Sequence, residues 1–129
     1  MKKESVDVGI IATGALVHKA IVVARNLEKK GIAVNVLNLA TIKPLDTESI
    51  LNVAKEAGAL VTVEEHQIAG GMGSAVAEFL SGNFPVPIEF VGVKDKFGQS
   101  GTPEELIEYY DMGESHILKA VENVMKRKN

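Results

Sequence analysis

Four short apolar runs along the chain predict β-strands. The runs at residues 7–13 and 59–64 are rich in β-branched residues and almost continuous, which is typical of strands covered on both faces. The run at residues 34–39 includes two asparagines and indicates a more exposed position in the sheet, and a fourth run lies at residues 88–93. Because a helical pattern separates each run from the next, the strands are predicted to be parallel, with right-handed crossovers.

Helical patterns follow each strand, with apolar residues recurring every three or four positions. Gly31 is placed to cap the first helix at its C-terminus, and Asp46 or Thr47 can accept a backbone hydrogen bond at the start of the second. Residues 109–113 are expected to break the fourth helix, with a final helix beginning at about Ser115. Together these patterns predict an α/β fold, a three-layer α/β/α sandwich with a mostly parallel sheet of four to five strands.

The composition is that of an ordinary globular protein, and residues 1–129 are expected to form a single domain. The net charge is −3 with both signs interspersed, so we expect no nucleic-acid partner. No apolar run is long enough to cross a bilayer and the N-terminus lacks a signal-peptide core, so a cytoplasmic location is expected. The chain has no cysteine, and its three histidines lack the spacing of metal ligands.

Candidate chemistry is concentrated where the predicted strands end. Ligands of open parallel sheets bind beyond the carboxyl ends of the strands. The loops at residues 12–14, 38–46, 64–74 and 94–101 hold most of the polar and glycine-rich sequence outside the helix surfaces. One edge of the sheet is therefore the candidate functional edge.

Glu64 and Glu65 look like an acid/base pair at the end of a strand. Because neighbouring strand residues point to opposite faces, they are not expected to act on one bond. One of them could pair with His66 or with a partner's cation, while the other accepts hydrogen bonds from the amides of the glycine turn that follows. His66 itself could be a general base, but a hydrogen-bonded turn residue is the favoured interpretation.

The glycine turn, Gly70 to Gly73, could cradle a phosphate at the start of a helix. It lacks the spacing of dinucleotide-binding and P-loop motifs, and no nucleophile elbow surrounds Ser74. Small residues instead favour close packing of this helix against another surface. We therefore expect a domain or dimer contact, with no catalytic, cofactor-binding or metal-binding residue, formed by Glu64, Glu65, His66, Gly70, Gly71, Gly73 and Ser74.

Five motifs, taken in chain order, resemble the C-terminal domain of the transketolase family. They are DVGIIATG at 7–14, TIKPLD at 41–46, VTVEEH at 61–66, GGMGSAVAE at 70–78 and DKFGQSG at 95–101. The ending of the last motif is most similar to transketolases proper. The resemblance extends over nearly the whole chain.

The resemblance implies an enzyme of the pentose phosphate pathway that uses thiamine diphosphate and Mg²⁺ to transfer a two-carbon ketol unit between sugar phosphates. In such enzymes a diphosphate-binding and a pyrimidine-binding domain hold cofactor and substrate across a homodimer interface, and their motifs do not occur in this chain. The chain is thus expected to be a non-catalytic fragment of a larger enzyme, inactive alone. The family's domain usually has a fifth, antiparallel edge strand before the position of Asp7, where only six residues remain.

Other assignments stay open from the sequence. Deoxyxylulose-phosphate synthase and the β subunits of 2-oxoacid dehydrogenases share the outline of these motifs. A regulatory module binding a nucleotide or another small molecule at the same sheet edge is an alternative of a different class.

Overall fold

Strand and helix alternate from one end of the chain to the other. The computed structural model describes residues 5–14, 16–39, 44–65, 71–93 and 103–128, without the side chains of Glu65, Val93 and residues 103–112. The elements in order are β1 (Val8–Ala12), α1 (Leu16–Lys29), β2 (Val34–Asn38), α2 (Thr47–Ala57), β3 (Leu60–Glu65), α3 (Met72–Asn83), β4 (Ile88–Val93) and α4 (Pro103–Arg127).

The four strands form one parallel sheet in the order β2-β1-β3-β4. Every residue of β1 is buried, as its continuous apolar run predicted, whereas β2 lies at an edge and is mostly half-buried. The predicted α/β class is confirmed, with four strands and no antiparallel strand among the residues described.

A separate apolar core lies on each face of the sheet. Strand alternation sends Ile10 and Val61 into the core beneath α1 and α4, and Ile11 and Leu60 into the core beneath α2 and α3. Helices on both faces of a parallel sheet give the three layers that the sequence predicted. The candidate functional edge of the sheet therefore lies between two layers of helices.

The predicted helix caps are confirmed. Asp46 begins α2, its Oδ1 accepting from the Ser49 amide at 3.2 Å and its Oδ2 from the Ser49 hydroxyl at 2.8 Å. These hydrogen bonds, led by the one from the hydroxyl, hold the pKa of Asp46 below its ordinary value. Gly31 and Gly58 follow α1 and α2 with φ of +87° and +73°, the left-handed conformation that glycine adopts without strain.

The expected break at residues 109–113 is wrong, because α4 continues from Pro103 to Arg127. Gly113 is buried in the middle of this helix, where an added Cβ would lie 3.0 Å from Cδ of Lys19 in α1. The glycine thus permits close packing of a buried lysine and does not end the helix. Its low helix propensity costs about 1 kcal/mol, which is small beside burial of the apolar face of α4.

Hydrogen bonds join the C-terminal end of α4 to the sheet. Arg127 donates to the backbone oxygen of Ile88 at 3.0 Å and to Glu89 Oε2 at 2.6 Å, and Lys128 Nζ donates to the backbone oxygen of Asp7 at 2.9 Å. The basic end of α4 therefore joins both β4 and the residue that precedes β1.

Candidate functional site

Glu64 caps helix α3 from the neighbouring strand. Its carboxylate is buried at the end of β3, and its Oε2 accepts a 2.6 Å hydrogen bond from the amide of Gly73. Gly71, the residue at the N-cap position of α3, has no side chain to make this bond. A carboxylate at a helix N-terminus is also favoured by the helix dipole. One of the two glutamates therefore accepts from an amide of the glycine turn, as predicted.

Two polar oxygens beside this cap have no hydrogen-bond partner among the described residues. They are Glu64 Oε1 and the hydroxyl of Thr62, whose residues are 4% and 1% exposed. Thr62 precedes Glu64 by two positions in β3 and so shares its face of the sheet. Because a buried polar group without a partner costs about 1–3 kcal/mol, the two oxygens mark a polar contact that the described residues leave incomplete.

Gly73 brings the start of α3 close to Glu64 Oε2 and to the Thr62 hydroxyl. A Cβ at this position would lie 3.1 Å from Glu64 Oε2, 3.1 Å from the Thr62 hydroxyl oxygen and 2.8 Å from Cδ1 of Phe90. Only glycine allows this approach without displacing a neighbour. Gly73 therefore serves close packing of α3 on its own sheet, whereas the predicted packing of the glycine turn against another surface stays a prediction. An anion at this helix start would also meet the carboxylate of Glu64.

Strand β4 forms the outer wall of this site. Phe90 pairs in register with Thr62, and its ring is 59% exposed although one edge of it approaches Gly73. Gly92 pairs with Glu64 and is exposed at the end of the described sheet. We call the site formed by Thr62, Glu64, Gly73 and Phe90 the Glu64 pocket. It combines two free oxygens with an aromatic ring at a sheet edge.

The structure brings together part of the predicted contact. Glu64 and Gly73 are hydrogen-bonded, while Gly71 and Ser74 are exposed beside them at the start of α3. The backbone of Glu65 continues β3, and its side chain lies outside the described part. His66 and Gly70 lie outside the described residues altogether.

Thr62 and Phe90 were not among the residues predicted for the contact. Thr62 could have been found, because strand alternation places it on the face of Glu64. Phe90 could not, because its position beside Gly73 depends on the pairing of β3 with β4.

Within the described ranges, no three His, Cys, Asp or Glu side chains are grouped as metal ligands. No described helix is both long and apolar enough to span a membrane.

A groove lies between α1 and α4. It has a volume of about 570 Å³, an apolar floor that includes Val23 and Leu27, and a rim that includes Lys29, Lys30 and Glu114. Because α1 runs back from the carboxyl ends of the strands, its last turn lies at the opposite end of the sheet from the Glu64 pocket. This groove is therefore separate from the predicted functional edge.

Comparison with known proteins identifies the family. Residues 1–117 match the family described as the transketolase C-terminal domain. The 6-deoxy-6-sulfo-D-fructose transketolase subunit of Clostridium sp. (strain MSTE9) is 43% identical over 127 residues, which are 98% of this chain and 39% of that protein. The 1-deoxy-D-xylulose-5-phosphate synthase of Desulforudis audaxviator (strain MP104C) is 34% identical over 128 residues, 98% of this chain and 20% of that protein.

A solved structure of a split gene transketolase, an inactive beta4 tetramer, superposes with a TM-score of 0.82 at 44% identity, covering 98% of this chain and 42% of that chain. This chain thus spans less than half the length of each relative. The family match nevertheless covers most of it and includes all five motifs that carried the resemblance. The chain therefore belongs to the transketolase family and is a transketolase C-terminal domain.

Proposed function

We propose that this chain serves, as a non-catalytic domain, an enzyme that transfers a two-carbon ketol unit between sugar phosphates. Relatives named as transketolase subunits support the reaction class, and the chain spans less than half of those relatives. The remaining parts of such an enzyme are its partners: a pyrimidine-binding and a diphosphate-binding domain, assembled as a homodimer. The pentose phosphate pathway and the cytoplasm are the setting that this function implies.

Enzymes of this family depend on thiamine diphosphate. The described residues of this chain do not fit the cofactor, because they group no ligands for its Mg²⁺ and place the carboxylate of Glu64 where α3 could receive a phosphate. We therefore assign both cofactor and Mg²⁺ to the two partner domains. The role of this chain is to support their assembly.

The contact is proposed at the carboxyl end of β3 and the start of α3. The observation that carries it is the pair of buried oxygens without partners, on Thr62 and Glu64, beside the exposed residues Gly71 and Ser74. Polar groups in this state are completed when another surface covers them. The proposed contact includes the remaining predicted residues, Glu65, His66 and Gly70.

Glutamine at Gly71 tests this contact. Gly71 has φ of −77° and ψ of −71°, a conformation open to any residue, and it is exposed, so Gly71→Gln should leave the domain folded. In the complete enzyme we expect weaker dimer association by sedimentation and lower ketol-transfer activity. Gly82→Gln is the matched control, because it lies near the other end of α3 with open space around its Cβ position. Equal association and turnover in the two variants would contradict the proposed contact.

The sugar substrate is a separate question from the reaction class. The relatives are named for a sulfonated fructose, for apulose 4-phosphate and for 1-deoxyxylulose 5-phosphate. Assaying the complete enzyme with a panel of phosphorylated and sulfonated ketoses would identify the donor. Pyruvate-dependent synthesis of deoxyxylulose phosphate in place of ketol transfer would favour the alternative synthase.

A further inference from the structure

The Glu64 pocket contains hydrogen-bonding capacity that the described residues do not use. Oε2 of Glu64 accepts from the Gly73 amide, but Oε1 and the Thr62 hydroxyl are buried without a partner in the described part of the chain. One oxygen is a carboxylate acceptor and the other a hydroxyl that can also accept. The missing group is therefore a hydrogen-bond donor.

The charge of the pocket indicates what kind of donor fits. Glu64 is the only charged side chain among the four residues that define the pocket, so a cation is attracted and an anion repelled. A cationic donor also makes shorter and stronger hydrogen bonds to a carboxylate than a neutral one. A positively charged side chain is thus a better match than a sugar hydroxyl or a phosphate.

The exposed ring of Phe90 distinguishes between the cations. Its Cδ1 and the Thr62 hydroxyl oxygen both lie against the start of α3, 2.8 and 3.1 Å from the Cβ position of Gly73, and Phe90 pairs in register with Thr62 on the strand beside it. A planar guanidinium can stack on such a ring while its N–H groups reach oxygens beside it, whereas an ammonium is a compact point charge with stronger hydration. The combination favours arginine over lysine.

An approach to the pocket exists at the sheet edge. Gly92 lies opposite Glu64 in the β3–β4 register, is exposed and has no side chain, so no side chain of β4 stands at that position. Both oxygens are buried in the isolated chain, so a side chain of a partner reaches them only when a neighbouring side chain moves. Phe90 is the side chain placed to do so, because its ring is already 59% exposed.

We propose that the Glu64 pocket receives the guanidinium of an arginine from another domain or subunit of the enzyme. The inference rests on the proposed function, since it names the chemistry of the partner at the same contact. The guanidinium donates to Glu64 Oε1 and the Thr62 hydroxyl and stacks on Phe90. It thereby completes the polar groups that have no partner among the described residues.

Nuclear magnetic resonance of the ¹⁵N-labelled chain tests the ligand chemistry directly. The probe is N-acetyl-arginine amide, and the reporter is the Gly73 amide, which is bonded to Glu64. We expect a saturable shift at millimolar probe that is absent in Glu64→Gln, whose amide keeps an acceptor for Gly73 but presents no carboxylate. An equal shift with N-acetyl-lysine amide, or no saturable shift with either probe, would overturn the assignment of a guanidinium.

Thr62→Val gives a second test with opposite expected signs. Valine has the shape of threonine without the unpartnered hydroxyl, so the isolated chain should be as stable as the parent or more so. In the complete enzyme the same change should weaken association, and Glu64→Gln should weaken it by roughly 30-fold or more, as for a buried charge pair that loses one member. Unchanged association in both variants overturns the inference.

These outcomes separate the inference from the proposed function. If Gly71→Gln weakens assembly while Glu64→Gln and Thr62→Val leave it intact, the contact stands and the arginine does not. If Gly71→Gln also has no effect, the contact itself fails. A tightly held water seen in the Glu64 pocket of the complete enzyme, in place of a side chain, would likewise refute the inference.

Discussion

Replacing Glu64 by alanine should lower the free energy of unfolding by about 2 kcal/mol. The substitution removes the only side-chain cap of α3 among the described residues and leaves the buried Gly73 amide without an acceptor. Loss of a partner for a buried amide costs about 1–3 kcal/mol, and loss of an N-cap side chain, which describes the same bond, typically costs about 1 kcal/mol. The cavity adds to this cost, while removal of the unpartnered Oε1 offsets part of it.

Urea unfolding followed by circular dichroism measures this loss. At this chain length about 2 kcal/mol corresponds to a fall in Tm of roughly 8 °C. Glu64→Gln retains an acceptor of the same shape and loses only the charge at the helix N-terminus, so about 0.3–1 kcal/mol is expected. Glu78→Ala, an exposed change on the same helix, should stay within about 0.5 kcal/mol of the parent.

Equal losses of stability in the alanine and glutamine variants would show that the hydrogen bond from Gly73 to Glu64 contributes nothing. A loss under about 0.5 kcal/mol for Glu64→Ala would equally refute the reasoning, since the amide of Gly73 would then have found another acceptor.

Three further predictions concern stability. Gly9→Ala should destabilise the chain by about 1–3 kcal/mol in urea unfolding, because its Cβ would lie 2.5 Å from Cγ1 of Val53. Stability equal to that of the parent would show that Val53 can move aside at little cost. Gly82→Ala should stabilise by about 0.4–1 kcal/mol in the same assay, since space around it is open and its backbone is helical; destabilisation would contradict this. Asp46→Ala should lower Tm at neutral pH. The difference in Tm between variant and parent should shrink as the pH falls below 3.8 and Asp46 becomes protonated, because a carboxyl group with a lowered pKa stabilises the fold only while it is ionised. A difference that stays constant with pH would exclude the bond from Ser49 as its origin.

The local pattern of the chain was sufficient for the elements and several of their ends. The β-branched runs predicted all four strands within one or two residues, and Asp46 and Gly31 mark helix ends where they were expected. The expectation that one of the two glutamates accepts from an amide of the glycine turn is also confirmed, by Glu64 and Gly73. These features depend on neighbours in sequence and could therefore be predicted from the sequence.

The continuity of α4 could not be predicted in this way. Residues 109–113 combine aromatic residues, an aspartate and a glycine, a group that disfavours a helix when considered alone. Packing against α1, with Lys19 lying on Gly113, outweighs that preference. The penalty of a single glycine is small compared with the apolar surface that residues such as Ile117 and Val121 bury on the same helix.

The sequence by itself determined the class of fold, the family and the small region in which a contact was expected. Only the tertiary structure decided what that region contains, because the pairing of β3 with β4 places Phe90 beside Gly73. It also showed that Glu64 uses one oxygen to cap α3 and leaves the other, with the Thr62 hydroxyl, unpaired. Periodicity specifies the face on which a residue lies, whereas the partner of a buried polar atom depends on which distant segments pack against it.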